Sequence, residues 1–126
     1  MRRFQQQEQV LSASKRGEFV FFGSDIFRGS VYGKGHPLNI ARVWPVIDLC
    51  RILNWLPDKC YQPVKPASPE QLNLFHDMSY IRALLRAERD QALDDVQMKR
   101  YRIGLDHNPI FANVYSRPAT AAAASL

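Results

Sequence analysis

Metal binding and acid–base chemistry in this chain would have to draw on three histidines, His36, His76 and His107, and thiol chemistry on Cys50 or Cys60. No histidine stands at a spacing from a second histidine or a carboxylate that would aim two ligands at one ion. His76-Asp77 and Asp106-His107 are sequence neighbours, and neighbouring side chains on a helix or strand diverge. A polar place at a helix junction accounts for His76 without any catalytic role. The cysteines fit no metal or redox spacing and read as two reduced thiols at or near a core; a disulfide between them would close only a short loop. No serine or cysteine sits in a Gly-x-Ser-x-Gly setting. The four glycines between Gly23 and Gly35 lack the spacing that cradles a phosphate. Asp94-Asp95 fits a solvated acidic face better than a general acid–base pair. Residue types alone therefore assemble no complete active site.

The elements that would carry these residues alternate between strand-like and helical patterns. Residues 1–17 are polar and Gln-rich and read as an arm. Phe19 to Phe22, bounded by Gly17 and Gly23, predicts a buried strand of the kind a doubly covered parallel sheet uses. A glycine-rich surface loop follows, holding Arg28, Tyr32 and Lys34. Ile40, Val43, Trp44, Ile47 and Cys50 then share one helical face, with Pro45 forcing either a kink or a start near Arg42. Leu56-Pro57-Asp58 is expected to end that helix, and Cys60 to Val64 to form a short strand with Pro63 at its edge. Ser68-Pro69-Glu70-Gln71 is a capping box with proline at the first helical position. Its helix is expected to stop near His76. Asp77 caps a second helix whose apolar stripe is Met78, Ile81, Leu84 and Leu85. Residues 90–103 read as partly helical, and Asn108-Pro109 as the start of a last helix running through Ala119 to Ala124.

With 126 residues the chain fits one domain, and 46% apolar with 23% charged residues excludes global disorder. Its apolar runs are too short to cross a bilayer, which excludes a membrane span. No signal peptide follows Met1-Arg2-Arg3, so a cytoplasmic location is expected. The net charge of +5 is uneven: residues 1–17 hold Arg2, Arg3, Lys15 and Arg16 against Glu8 alone. The rest is nearly balanced and shows no basic face interleaved with aromatics, which argues against nucleic-acid binding.

Several of these pieces form an ordered set. Gly35-His36-Pro37 comes first, then Arg42-Val43, then Ser68-Pro69-Glu70-Gln71-Leu72 with Phe75-His76-Asp77 and Ser79-Tyr80-Ile81, then Asp106 to Phe111. From about Phe19 onward this set resembles the N-terminal part of the histone deacetylase superfamily, in particular its bacterial acetoin-utilisation and acetylpolyamine amidohydrolase-like branch. The resemblance implies an α/β architecture, the N-terminal part of an arginase/deacetylase-like three-layer fold with a parallel sheet flanked by helices. For the full-length protein it implies hydrolysis of an acetylated lysine or acetylated small amine by a zinc-activated water. The family's metal ligands and acid–base histidines lie beyond the matched region, so no catalytic and no metal-binding residue carries over to this segment, and no zinc bound by it is expected. What carries over is the approach to the acyl tunnel. Tyr32 and His36 are the bulkiest residues of a loop that resembles the family's first rim loop. Arg42 matches an arginine that binds backbone carbonyls near the tunnel foot; a surface arginine on an amphipathic helix is the alternative. The turn from Asp106 corresponds to the second rim loop. Some relatives place a substrate-binding aspartate two residues before the proline; His107 holds that position here and Asp106 is shifted by one.

The expectation is thus a polar basic arm over residues 1–17 and, over residues 18–126, a deacetylase-like α/β segment that is incomplete at its C-terminus. Alone, it should be inactive and poorly soluble, because strand and helix faces would lack neighbours. The rival readings are a non-catalytic α/β binding module derived from that scaffold and a nucleic-acid-associated protein working through the basic arm. Oligomeric state is not legible.

Overall fold

The computed structural model describes residues 19–29, 43–105 and 107–126. Two three-residue strands, β1 (Phe21–Gly23) and β2 (Tyr61–Pro63), pair in parallel with Phe21 opposite Tyr61 and Gly23 opposite Pro63. Parallel pairing needs a long crossover, and α1 (Val43–Ile52) lies in it. The remaining helices are α2 (Pro69–Leu72), α3 (Met78–Asp90), α4 (Asp95–Tyr101) and α5 (Ser116–Ala123). This is the expected α/β arrangement, a parallel pair with helices beside it.

The first strand is shorter and more exposed than its sequence predicts. Phe19 is exposed, Phe22 is 43% exposed, and Phe21 alone turns into the core beneath α1. Strand alternation explains this: Phe21 and Phe22 must point to opposite faces, and only one face has a helix against it. Gly23 is required by close approach, since a Cβ there would lie 2.7 Å from Cε2 of Tyr61.

Helix α1 is described over Val43–Ile52, with Pro45 its third described residue; a start near Arg42 would put Pro45 in the first turn, where no intrahelical N–H bond is lost. It stops at Ile52, short of the expected Leu56-Pro57-Asp58, with Asn54 in the left-handed region at φ 58°. Trp44 and Ile47 bury against Leu56 and Cys60, with Phe21, Phe27, Cys50 and Tyr61 packed around them. Cys50 and Cys60 are free thiols of this cluster. Arg28 lies over the Trp44 ring at 3.8 Å and grips Asp48 with two hydrogen bonds of 3.2 and 3.3 Å.

The capping box forms as read. Ser68 Oγ accepts from the Gln71 amide at 3.3 Å, and Gln71 Oε1 accepts from the Ser68 amide at 2.9 Å. Its helix is a single turn ending at Leu72 rather than near His76. Asp77 caps α3 by accepting from the Ser79 amide at 2.6 Å and from the Ser79 hydroxyl. Ile81, Ala83 and Ala87 are the fully buried positions of α3, while Met78, Leu84 and Leu85 cover its flanks. Gln91, at φ 52°, closes the helix and returns its side-chain amide to the Glu88 carbonyl at 2.7 Å.

The last helix does not start at Asn108-Pro109. Asn108 sits in a tight turn, donating its side-chain amide to the Arg102 carbonyl at 2.7 Å, and α5 begins at Ser116. Its N-terminal amides are met from another helix instead. Glu88 Oε2 accepts from the Tyr115 and Ser116 amides at 2.8 Å each, and Oε1 accepts from the Ser116 hydroxyl. The Tyr115 hydroxyl donates to the Ala67 carbonyl at 3.0 Å, and the Ala67 amide donates to the Ala119 carbonyl at 3.0 Å. These bonds lash the segment after β2 to α5.

Candidate functional site

Helix α5, the α2–α3 junction and the turn at Phe27 enclose an open cleft of about 520 Å³. His76, Tyr80, Asn108 and Arg117 give it polar edges, and Phe27 and Phe111 give it aromatic walls. The cleft exists because each neighbour is held separately. Arg117 Nη1 donates to the carbonyls of Ile26 at 3.1 Å and Gly29 at 3.0 Å, with the guanidinium 5.3 Å from the Phe27 ring. Five rigid donors suit an arginine to this double carbonyl grip.

On the opposite side, aromatic contacts run from His76 to Tyr80 at 6.1 Å and from Tyr80 to Tyr101 at 5.6 Å, both tilted. The Tyr101 hydroxyl lies 2.6 Å from Ser79 Oγ, which is itself bonded to Asp77. Hydrogen bonds from the Ser79 hydroxyl and amide hold the Asp77 carboxyl below the usual carboxylate range, with the Arg100 charge as a smaller contribution. Asp77 is thus an ionised cap at ordinary pH and not a proton donor. Burial, reinforced by the charges of Glu70 and Glu88, pushes the Tyr115 phenol up.

Of the residues expected at the rim, Tyr32, His36, Arg42 and Asp106 lie outside the described residues. His107 is exposed on the turn in which the Gly104 amide donates to the Asn108 carbonyl at 2.7 Å and the Asn108 amide returns to the Leu105 carbonyl at 2.7 Å. Gly104 takes φ 78° there, a value that favours glycine. Phe27 and Asn108 line the same cleft. Arg117 and Glu88 escaped the reading of the sequence because their partners lie 91 and 28 residues away. No local pattern marks either.

Among the described residues no three His, Cys, Asp or Glu side chains gather in a way that could hold a metal ion. The two described histidines explain this: His76 stands at the α2–α3 junction and His107 on the exposed turn, and Asp77 beside His76 is turned to the α3 amides. The donor set for a zinc ion is not formed by these residues. No described helix is long and apolar enough to cross a membrane.

The chain is 29% identical over 96 residues to the acetoin utilization protein AcuC of Bacillus subtilis, covering 76% of this chain and 24% of that protein. A crystal structure of an HDAC homologue from Aquifex aeolicus superposes with a TM-score of 0.79 at 29% identity, over 86% of this chain and 29% of the homologue. A crystal structure of an HDAC homologue complexed with SAHA superposes with a TM-score of 0.76, also at 29% identity, over 85% of this chain. The chain has part of a histone deacetylase fold. No family model matches it. The deacetylase likeness holds in both sequence and structure, and the chain spans about a quarter of the length of the curated relative.

Proposed function

We propose that this chain is the scaffold and rim portion of a zinc-dependent deacetylase that hydrolyses the amide of acetylated lysine or an acetylated small amine, and that it is inactive by itself. The observation that carries the reading is the superposition on HDAC homologues at TM-scores of 0.76 and 0.79, one of them complexed with SAHA. In that reading zinc supplies an activated water, and the residues that bind zinc and move protons belong to the remainder of the enzyme. This chain's contribution is positional. Arg117 holds the turn that leads toward the segment read as the first rim loop, and the Gly104–Asn108 turn presents His107; Tyr32, His36, Arg42 and Asp106, outside the described residues, remain the substrate-tunnel and rim candidates of this reading.

The test is an assay of this chain, and of any longer polypeptide that contains it, on an acetyl-lysine peptide with and without zinc. The 126-residue chain is expected to release no acetate and to retain no stoichiometric zinc after desalting, while the longer polypeptide does both. Turnover or tight zinc by the short chain would overturn the reading. A second reading, a non-catalytic α/β binding module, is favoured by the long-range bonds of Glu88, Tyr115 and Arg117, which give the chain cross-ties of its own. A sharp melt of the isolated chain, with no longer gene product in its source cells, would select it.

A further inference from the structure

We propose that Trp44 and Arg51, on one face of α1, form a binding site for a single carboxylate. Among the described residues, two buried side-chain atoms make no hydrogen bond, Trp44 Nε1 and Arg51 Nε. Both are donors that cannot accept. They belong to neighbouring groups, the Arg51 guanidinium lying 5.8 Å from the centre of the Trp44 ring. Trp44 is 3% exposed, so bulk water does not serve its N–H. Folded proteins pair nearly all buried donors, because an unpaired one keeps the full cost of leaving water. Two such donors beside each other point to one acceptor that serves both.

The surrounding charges define that acceptor. Trp44, Asp48 and Arg51 are spaced by four and three residues and therefore share a helix face. Asp48 would be the local partner of Arg51, but both of its oxygens are used. Oδ1 accepts from Nη2 of Arg28 at 3.2 Å, and Oδ2 accepts from Nη1 at 3.3 Å. Arg28 also lies over the Trp44 ring at 3.8 Å, with Asp25 3.9 Å from its Nε. Arg51 has no ion pair among the described residues. Its charge is balanced by a monoanion and exceeded by a dianionic phosphate. The Tyr61 ring, centred 4.7 Å from the guanidinium, and the Trp44 ring bound it with flat apolar surfaces. A planar acceptor with two oxygens suits that setting, one oxygen for a guanidinium N–H and one for the indole N–H. These requirements describe a carboxylate, carried by a small free acid or by a peptide C-terminus.

The test reads the indole itself. In the full 126-residue chain labelled with nitrogen-15, indole N–H signals come from Trp44 and Trp55 alone, and Trp55→Phe tells them apart. Sodium formate, exchanged for sodium chloride at constant ionic strength, is expected to move the Trp44 signal downfield and saturably. Trp55, 66% exposed, should stay in place, and the melting temperature of the chain should rise. Arg51→Gln keeps a donor but removes the charge, and should weaken formate binding about tenfold or more. A tripeptide that binds more tightly than formate, and loses binding when its C-terminus is amidated, would assign the carboxylate to a peptide end. Formate binding without tripeptide binding would assign it to a small free acid. The wild-type titration decides the proposal without any variant: a Trp44 signal indifferent to formate overturns it, and so does an equal response to chloride or phosphate. Formate binding unchanged by Arg51→Gln would overturn it as well.

Discussion

Helices α1 and α3 are built from opposite logics. Helix α3 carries a narrow buried stripe of Ile81, Ala83 and Ala87, with Arg82, Arg86 and Arg89 on its exposed side, and both ends are closed by side chains, Asp77 and Gln91. It is a finished surface helix. Helix α1 has apolar residues on nearly every side and half of them face outward. The contrast separates a helix whose outer side is charged from one that leaves Val46, Leu49 and Ile52 exposed. It also separates two kinds of apolar residue that composition treats alike.

That contrast can be broken or sharpened by substitution. The largest effect belongs to the α3 side. Ile81, 1% exposed, contacts Tyr115 and Ala119, and Ile81→Ala should cost about 2–5 kcal/mol in a denaturant titration through lost burial and a cavity. A change under 1 kcal/mol would show that the α3–α5 core is loosely packed. Glu88→Gln should cost about 2 kcal/mol, because the charge-assisted bonds to the α5 amides become neutral ones. The loss should appear as early hydrogen exchange at Ser116. Tyr115→Phe removes one buried bond to the Ala67 carbonyl and should cost about 1 kcal/mol.

Two pH effects follow from the same side. Asp77 is depressed in the folded chain, so its contribution is present above the unfolded carboxylate range and is lost as pH falls through the lower folded value. Asp77→Asn should flatten that acid limb of the helical signal. Tyr115 is raised, so its contribution is full below the ordinary tyrosine range and declines as pH rises toward its folded value. Tyr115→Phe should remove that alkaline decline. The smallest effect is expected on α1, where Val46→Asp should change the stability of the isolated chain by less than about 0.5 kcal/mol. A large loss there would erase the distinction between the two helices.

Features encoded within one turn were legible in the sequence. The Ser68 capping box and the Asp77 cap need only residues two or three apart, and both form. The short strand at Tyr61–Pro63 also forms, with Pro63 at its end. The errors have one cause. Asn108-Pro109 has the same chemistry as a helix start, yet Asn108 spends its side chain on the Arg102 carbonyl, and α5 takes its cap from Glu88 on another helix. Phe19 to Phe22 is uniformly apolar, so the sequence could not say which ring turns inward; α1 decides that for Phe21. The α/β arrangement and the deacetylase likeness were readable because they rest on the order of several short motifs. Of the residues read as substrate-tunnel and rim candidates, His107 is placed on its turn, while Tyr32, His36, Arg42 and Asp106 fall outside the described residues.

The grip of Arg117 on the carbonyls of Ile26 and Gly29 has a temporal side. The two ends of this contact are 91 and 88 residues apart. At roughly 5–20 residues per second of synthesis, the turn after β1 waits on the order of ten seconds for the side chain that secures it. During that interval the turn at Phe27 lacks the guanidinium that will hold its carbonyls. The turn that follows the first strand is therefore among the last parts of the fold to be fastened, and the last helix fastens it.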